Sequence, residues 1–96
     1  MKYNQHFTRF TTTRALYDRE TDTQFSKGDF ISVRSAQGVS PHQGKLIYIG
    51  TKNILLALEP RCEDKDGYST QSVERLSMNY FVSVERIEPL WSEVSL

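Results

Sequence analysis

The chain is short of the residues from which most reaction centres are built. It has one cysteine, Cys62, so no internal disulfide forms. Secreted proteins of this size use cysteines in pairs, which favours a reducing, cytoplasmic setting. The histidines are His6 and His42, and no His-x-His, Cys-x-x-Cys or His-Glu-x-x-His spacing occurs, so no zinc site is expected. No Gly-x-Ser-x-Gly elbow or glycine-rich phosphate loop is present. No apolar run approaches the ~18 residues that span a bilayer. Met1 to Arg14 is polar throughout except for Tyr3, Phe7 and Phe10, so no apolar signal core is read there. Charge of either sign is not in excess, 12 Lys/Arg against 12 Asp/Glu, so no global basic field draws nucleic acid and no acidic field repels it. The expectation is a soluble protein with no catalytic residues, no metal, no cofactor and no membrane partner.

What is there is a set of short strand signals. Ninety-six residues suffice for one small domain. Phe30-Ile31-Ser32-Val33-Arg34-Ser35 alternates as a strand does. Ala36 to Gln43, with Gly38, Ser40, Pro41 and His42, reads as a loop. Lys45–Ile49 and Ile54–Leu58 are strands apolar on both faces, joined by a tight connection at Gly50–Asn53. Pro60 ends the second of them, and Arg61–Gly67 is a surface loop with a turn at Asp66-Gly67. Glu63, Asp64 and Asp66 lack the downstream ligands of a calcium loop and read as a solvated acidic turn. Cys62 has a cation beside it in Arg61, but Glu63 and Asp64 oppose activation of the thiol. Ser72–Leu76 is either an edge strand or one helical turn. Asn79–Val84 is a strand with Tyr80, Val82 and Val84 on one face and Phe81 on the other, and a final strand re-enters at Ile87.

The expected architecture is all-β: a five-stranded small barrel over 25–91, with an arm at 1–24 and a tail at 92–96. The arm is irregular or strand-like, with Thr8, Thr11, Thr12 and Thr13 favouring extension. The alternative there is a short helix over Arg14–Glu20, capped by Thr13.

At this point a family resemblance enters. Gly44, Leu46, Ile49, Ile54, Leu55 and Leu56 fall at the spacing of the first Sm motif. Tyr80, Val82, Val84, Ile87 and Pro89 fall on the second. Residues 28–90 thus resemble the Sm-like barrels, most closely the Hfq-like RNA-chaperone branch. The resemblance implies an SH3/Sm-like barrel and ring-like or strand-paired assembly. It does not imply the family's RNA chemistry, because the contact residues are replaced. Gly50 stands where the motif has an aspartate and Lys52 where the chaperones stack an aromatic. Ile54 occupies the place of the base-pocket asparagine, with Asn53 one residue off. Phe81-Val82 takes the place of the Lys-His pair. Gly44 either lets its strand bend sharply or merely ends the preceding loop.

The leading expectation is a non-enzymatic interaction module, an oligomeric adaptor or regulator of a protein partner, with Ile47, Ile49, Leu55, Phe81 and Trp91 at its interface. The alternative is a single-stranded RNA or DNA binder that stacks bases on aromatics between cations, using Lys45, Tyr48, Lys52, Tyr80 and Phe81. A third class is a small-ligand-binding oligomer with a pocket shared between subunits. One charge pattern bears on assembly. Residues 1–58 carry eight Lys/Arg against four Asp/Glu, and 59–96 carry four against eight, +4 facing −4. That is either chance segregation of solvated faces or a head-to-tail contact between copies.

Overall fold

A computed structural model describes residues 7–9, 15–36 and 40–92. They form ten strands: β1 (Phe7–Arg9), β2 (Leu16–Asp18), β3 (Thr23–Phe25), β4 (Phe30–Ser35), β5 (His42–Ile49), β6 (Asn53–Ala57), β7 (Cys62–Glu63), β8 (Ser69–Thr70), β9 (Val73–Ser77) and β10 (Phe81–Arg86). One 3-10 turn, Met78–Tyr80, joins β9 to β10. The fold is all-β among the described residues, and its centre is a five-stranded antiparallel sheet in the order β10-β4-β5-β6-β9.

The long strand β5 serves two neighbours in succession. Its first half pairs with β4, from Val33↔His42 to Phe30↔Lys45. Its second half pairs with β6, from Lys45↔Ala57 to Ile49↔Ile54. Gly44 lies beside the changeover. A Cβ built there would sit 2.5 Å from Ala57 O and 3.1 Å from Leu56 Cβ, too close for any real side chain. Of the two readings of Gly44, the close approach within a bent strand is the one the fold uses.

A bulge then explains why β5 reads as apolar on both faces. The register slips between Leu46 and Tyr48, so Ile47 is the extra residue. Leu46 and Ile49 turn inward and are buried, Tyr48 turns outward, and Ile47 is half-buried. A second bulge corrects the expected faces of the last strand. Met78–Tyr80 is the 3-10 turn and not strand. Between Phe81 and Ser83 the register against β4 shifts. Phe81 (1% exposed) and Val84 therefore share the core, while Val82 (49% exposed) points out. Nor does Ile87 begin a new strand; β10 runs through Arg86, and the Ile87 N–H donates to Phe30 O at 2.9 Å.

The five-stranded sheet is not closed into a barrel by ladder hydrogen bonds. Its edges, β9 and β10, are consecutive in the chain but held apart by the 3-10 turn. The described N-terminal residues pack along β10. Of the readings for this arm, the strand-like one holds where residues are described: β1, β2 and β3 form an antiparallel three-stranded meander. Thr11, Thr12, Thr13 and Arg14 lie outside the described residues, but Leu16–Asp18 is strand, so the helix over Arg14–Glu20 does not form. The boundary expected at 24/25 falls inside β3.

The meander lies along β10. At one end the Phe7 ring meets Phe81 edge-on, centroids 5.4 Å apart at 75°. At the other, the Arg86 guanidinium sits 5.3 Å over Phe25 and donates to Gln24 O (2.9 Å) and Asp29 Oδ2 (3.1 Å). Phe7, Leu16 and Phe25 thereby join Ile31, Val33, Leu46, Ile54, Leu56, Leu76, Met78, Phe81 and Val84 in one core. The β2–β3 turn is organised by buried Asp18, whose Oδ1 accepts from the N–H of Glu20 (3.0 Å) and Thr21 (3.4 Å).

The acidic turn is a small hairpin, β7 with β8. Asp64 Oδ1 accepts from the N–H of Asp66 and of Tyr68, each at 2.9 Å, so its carboxylate closes the turn. The loop before β5 is shorter than expected, since β5 starts at His42.

Two substitutions test this account. Gly44→Ala forces a Cβ against the backbone of Ala57 and should lower unfolding free energy by about 1–3 kcal/mol in denaturant titrations. Phe7→Ala should cost about 3–5 kcal/mol, because Phe7 is a core residue and not part of a loose arm. A Phe7→Ala protein as stable as wild type would remove the meander from the core.

Candidate functional site

The outward residues of three neighbouring strands form one face. Side chains alternate along a strand, so β6 presents half-buried Asn53 and Leu55 opposite the inward Ile54 and Leu56, while Ala57 on the same face is fully covered. Register against β9 sets Leu55 beside Arg75 and Ala57 beside Val73. Register against β5 sets Leu55 beside Tyr48 on its other side. Tyr48, Leu55 and Arg75 thus make a row across the sheet. The tight connection Gly50–Lys52 closes one end, held by Gly50 N–H to Asn53 O at 2.7 Å. The Tyr48 ring folds over Gly50, where a Cβ would lie 3.0 Å from Tyr48 Cε2.

The result is a groove of about 410 Å³ lined by Tyr48, Gly50, Thr51, Lys52, Asn53, Leu55 and Arg75. Tyr48 is 52% exposed. The lining contains two cations and no carboxylate. Among the described residues the side chains of Lys52 and Arg75 make no hydrogen bond or ion pair.

A second groove, about 420 Å³, lies over β4 and β5 and is lined by Gly28, Phe30, Lys45, Pro89, Trp91 and Ser92. Trp91 stands edge-on to Phe30, centroids 4.8 Å apart at 82°. A smaller polar cleft of about 230 Å³ is lined by Ser32, Arg34, Pro41, Ser83 and Glu85.

The residues expected to act together are therefore dispersed. Of the nucleic-acid set, Tyr48 and Lys52 meet in the first groove. Lys45 lines the second, half-buried Tyr80 sits in the 3-10 turn, and Phe81 is in the core and offers no ring for stacking. Of the interface set, Leu55 and Trp91 line the two grooves, Ile47 is the half-buried bulge residue, and Ile49 and Phe81 are core residues with almost no surface. Sequence reasoning missed Arg75. Its only signal is the period-two spacing from buried Leu76, which is readable once Val73–Ser77 is known to be a strand.

His42 is not an exposed loop residue. Its Nδ1 lies 2.9 Å from Glu74 Oε1, linking β5 to β9 over the intervening β6, with both side chains partly exposed. Among the described residues no three His, Cys, Asp or Glu gather as a metal site would require. No helix among them is long and apolar enough to cross a membrane.

The Tyr17 phenol departs from its ordinary range. The Tyr17 hydroxyl donates to Asp22 Oδ1 at 2.7 Å. That hydrogen bond, followed by desolvation and the Asp22 charge, raises the phenol pKa above 10.0.

No family model, no curated protein and no solved structure matches the chain.

Two measurements check these contacts. Because the Tyr17 pKa is raised in the folded state, its contribution to stability is complete below pH 10.0 and is lost as pH climbs through the folded value. Absorbance at 295 nm should show a phenol ionising above pH 10.0, and Tyr17→Phe should delete that step. A double-mutant cycle on His42 and Glu74 should give a coupling of about 0.2–1 kcal/mol, the range of partly exposed pairs. Zero coupling near pH 6 would remove the link between β5 and β9.

Proposed function

We propose that this chain is a non-enzymatic interaction module, an adaptor or regulator that self-associates and binds a protein partner. The observation that carries this reading is the pair of shallow grooves on the outside of one sheet. An adaptor needs two surfaces. The ledge of Trp91, Phe30 and Pro89 is the more apolar and suits self-association. The groove of Tyr48, Leu55 and Arg75, with its unpartnered cations, suits a partner of opposite charge.

The Sm-like resemblance supports the same class. Strand order, the bent β5 and the 3-10 turn between the edge strands are what a small, strongly bent five-stranded fold of that kind would use. In that reading, open strand edges are the natural route to assembly.

A second reading, single-stranded RNA or DNA binding, has one specific observation in its favour: Tyr48 and Lys52 share a groove with Arg75. Neutral net charge weighs against it, because phosphate neutralisation supplies most of nucleic-acid affinity.

Native mass spectrometry and fluorescence separate these outcomes. Trp91 is the chain's single tryptophan. Its emission should shift to the blue with rising protein concentration as copies associate, and Trp91→Asp should shift the population toward monomer. A strict monomer at all concentrations removes the self-association part. Micromolar oligonucleotide binding with a steep salt slope would promote the second reading.

A further inference from the structure

We propose that the groove at Tyr48 and Arg75, together with the open edge of β9, receives an extended acidic segment of a partner protein, added as a strand alongside β9. The inference rests on the interaction-module reading and names the chemistry of its partner.

The two sheet edges are not equivalent. β10 carries a bulge between Phe81 and Ser83 and is flanked by the N-terminal meander, both of which obstruct further pairing. β9 pairs with β6 through five consecutive residues without a register shift and has no glycine or proline. It ends the sheet, so among the described residues its outer backbone groups face no other strand of that sheet. An incoming extended backbone satisfies them by the same ladder that holds β6 to β9.

Side chains of the added strand fall alternately on the two faces. Those on the outer face land next to Arg75 and Val73, within reach of the groove. There the lining has Arg75 and Lys52 without partners, Leu55 as an apolar floor, the Tyr48 ring, and no carboxylate. A segment alternating carboxylates with β-branched residues matches both requirements. Glu74, the one acidic residue of β9, is engaged by His42 and does not oppose it.

The other occupants fit less well. Two copies pairing β9 with β9 about its centre would set Arg75 against Arg75, like charges directly opposite. A nucleic-acid strand needs a track of cations for its phosphates, and it has no use for the amide groups of a strand edge.

The test is fluorescence anisotropy of the whole chain with a labelled peptide of about eight residues alternating Glu with Val and Thr, at low salt. Three comparison ligands accompany it: the same peptide with Lys for Glu, the same peptide N-methylated at alternate amides, and an oligothymidylate of similar length. The acidic peptide should bind, and both altered peptides should bind at least about tenfold more weakly, as loss of a charge-assisted contact or of ladder bonds implies. Arg75→Glu should reduce affinity by a similar factor, with far-UV circular dichroism as in wild type. Should Arg75→Glu fold poorly, amide NMR shifts at 73–77 of the wild-type chain on adding peptide serve in its place. Equal binding of the N-methylated peptide overturns strand addition, and tighter binding of the oligothymidylate overturns the choice of partner. An acidic peptide that does not bind, while native mass spectrometry still finds a homo-oligomer, sinks this inference and leaves the interaction-module reading standing.

Discussion

The whole arrangement depends on how closely the backbones of β5 and β6 approach at Gly44. The space a side chain would need is occupied by Ala57 O. That contact lets one strand pair with β4 over its first half and with β6 over its second. A short chain thereby obtains a curved sheet whose inner surface gathers Ile31, Val33, Leu46, Ile54 and Leu56 without exposure. A flat sheet of the same strands would leave its apolar residues facing water, since among the described residues no layer of helices covers them.

Curvature alone does not complete the core, because the sheet stays open between β9 and β10. The 3-10 turn that separates these edges is stabilised at both ends: the Met78 N–H reaches Lys52 O, and the Ala36 N–H reaches Tyr80 O. Aromatic rings of the meander extend the core along β10: Phe7 meets Phe81 at one end, and Arg86 fixes the other through a carbonyl, a carboxylate and the Phe25 ring face. The polar contacts set the docking angle, while the buried rings supply most of the free energy.

Fold class was legible in the sequence because it depends on period-two alternation and on turn residues, and both are local. Phe30–Ser35 is a strand with the bounds its alternation implies. What could not be read was anything decided by a bulge. Ile47 and Val82 are each an extra residue in a strand, and each reverses which neighbours face inward. That is why Phe81 reads as an interface or stacking residue and is in fact among the most buried side chains. The meander was legible only as a possible strand-like arm: three-residue strands carry too little alternation to be told from irregular chain or a short helix. His42 and Glu74 are thirty-two residues apart, and no local pattern joins them.

The same bulge that hid the core assignment also creates the candidate site. With Ile47 as the extra residue, Tyr48 is opposite Leu55 on the outer face, and Leu55 is in turn opposite Arg75. Remove the slip and Tyr48 would enter the core while the groove lost its aromatic wall. The ring is further placed by Gly50, whose lack of a Cβ leaves room for it over the turn. Packing and surface chemistry are therefore set by one irregularity in β5. Inside, it aligns Leu46 and Ile49 with Leu56 and Ile54. Outside, it assembles a ring, an aliphatic floor and two unpartnered cations beside a strand edge.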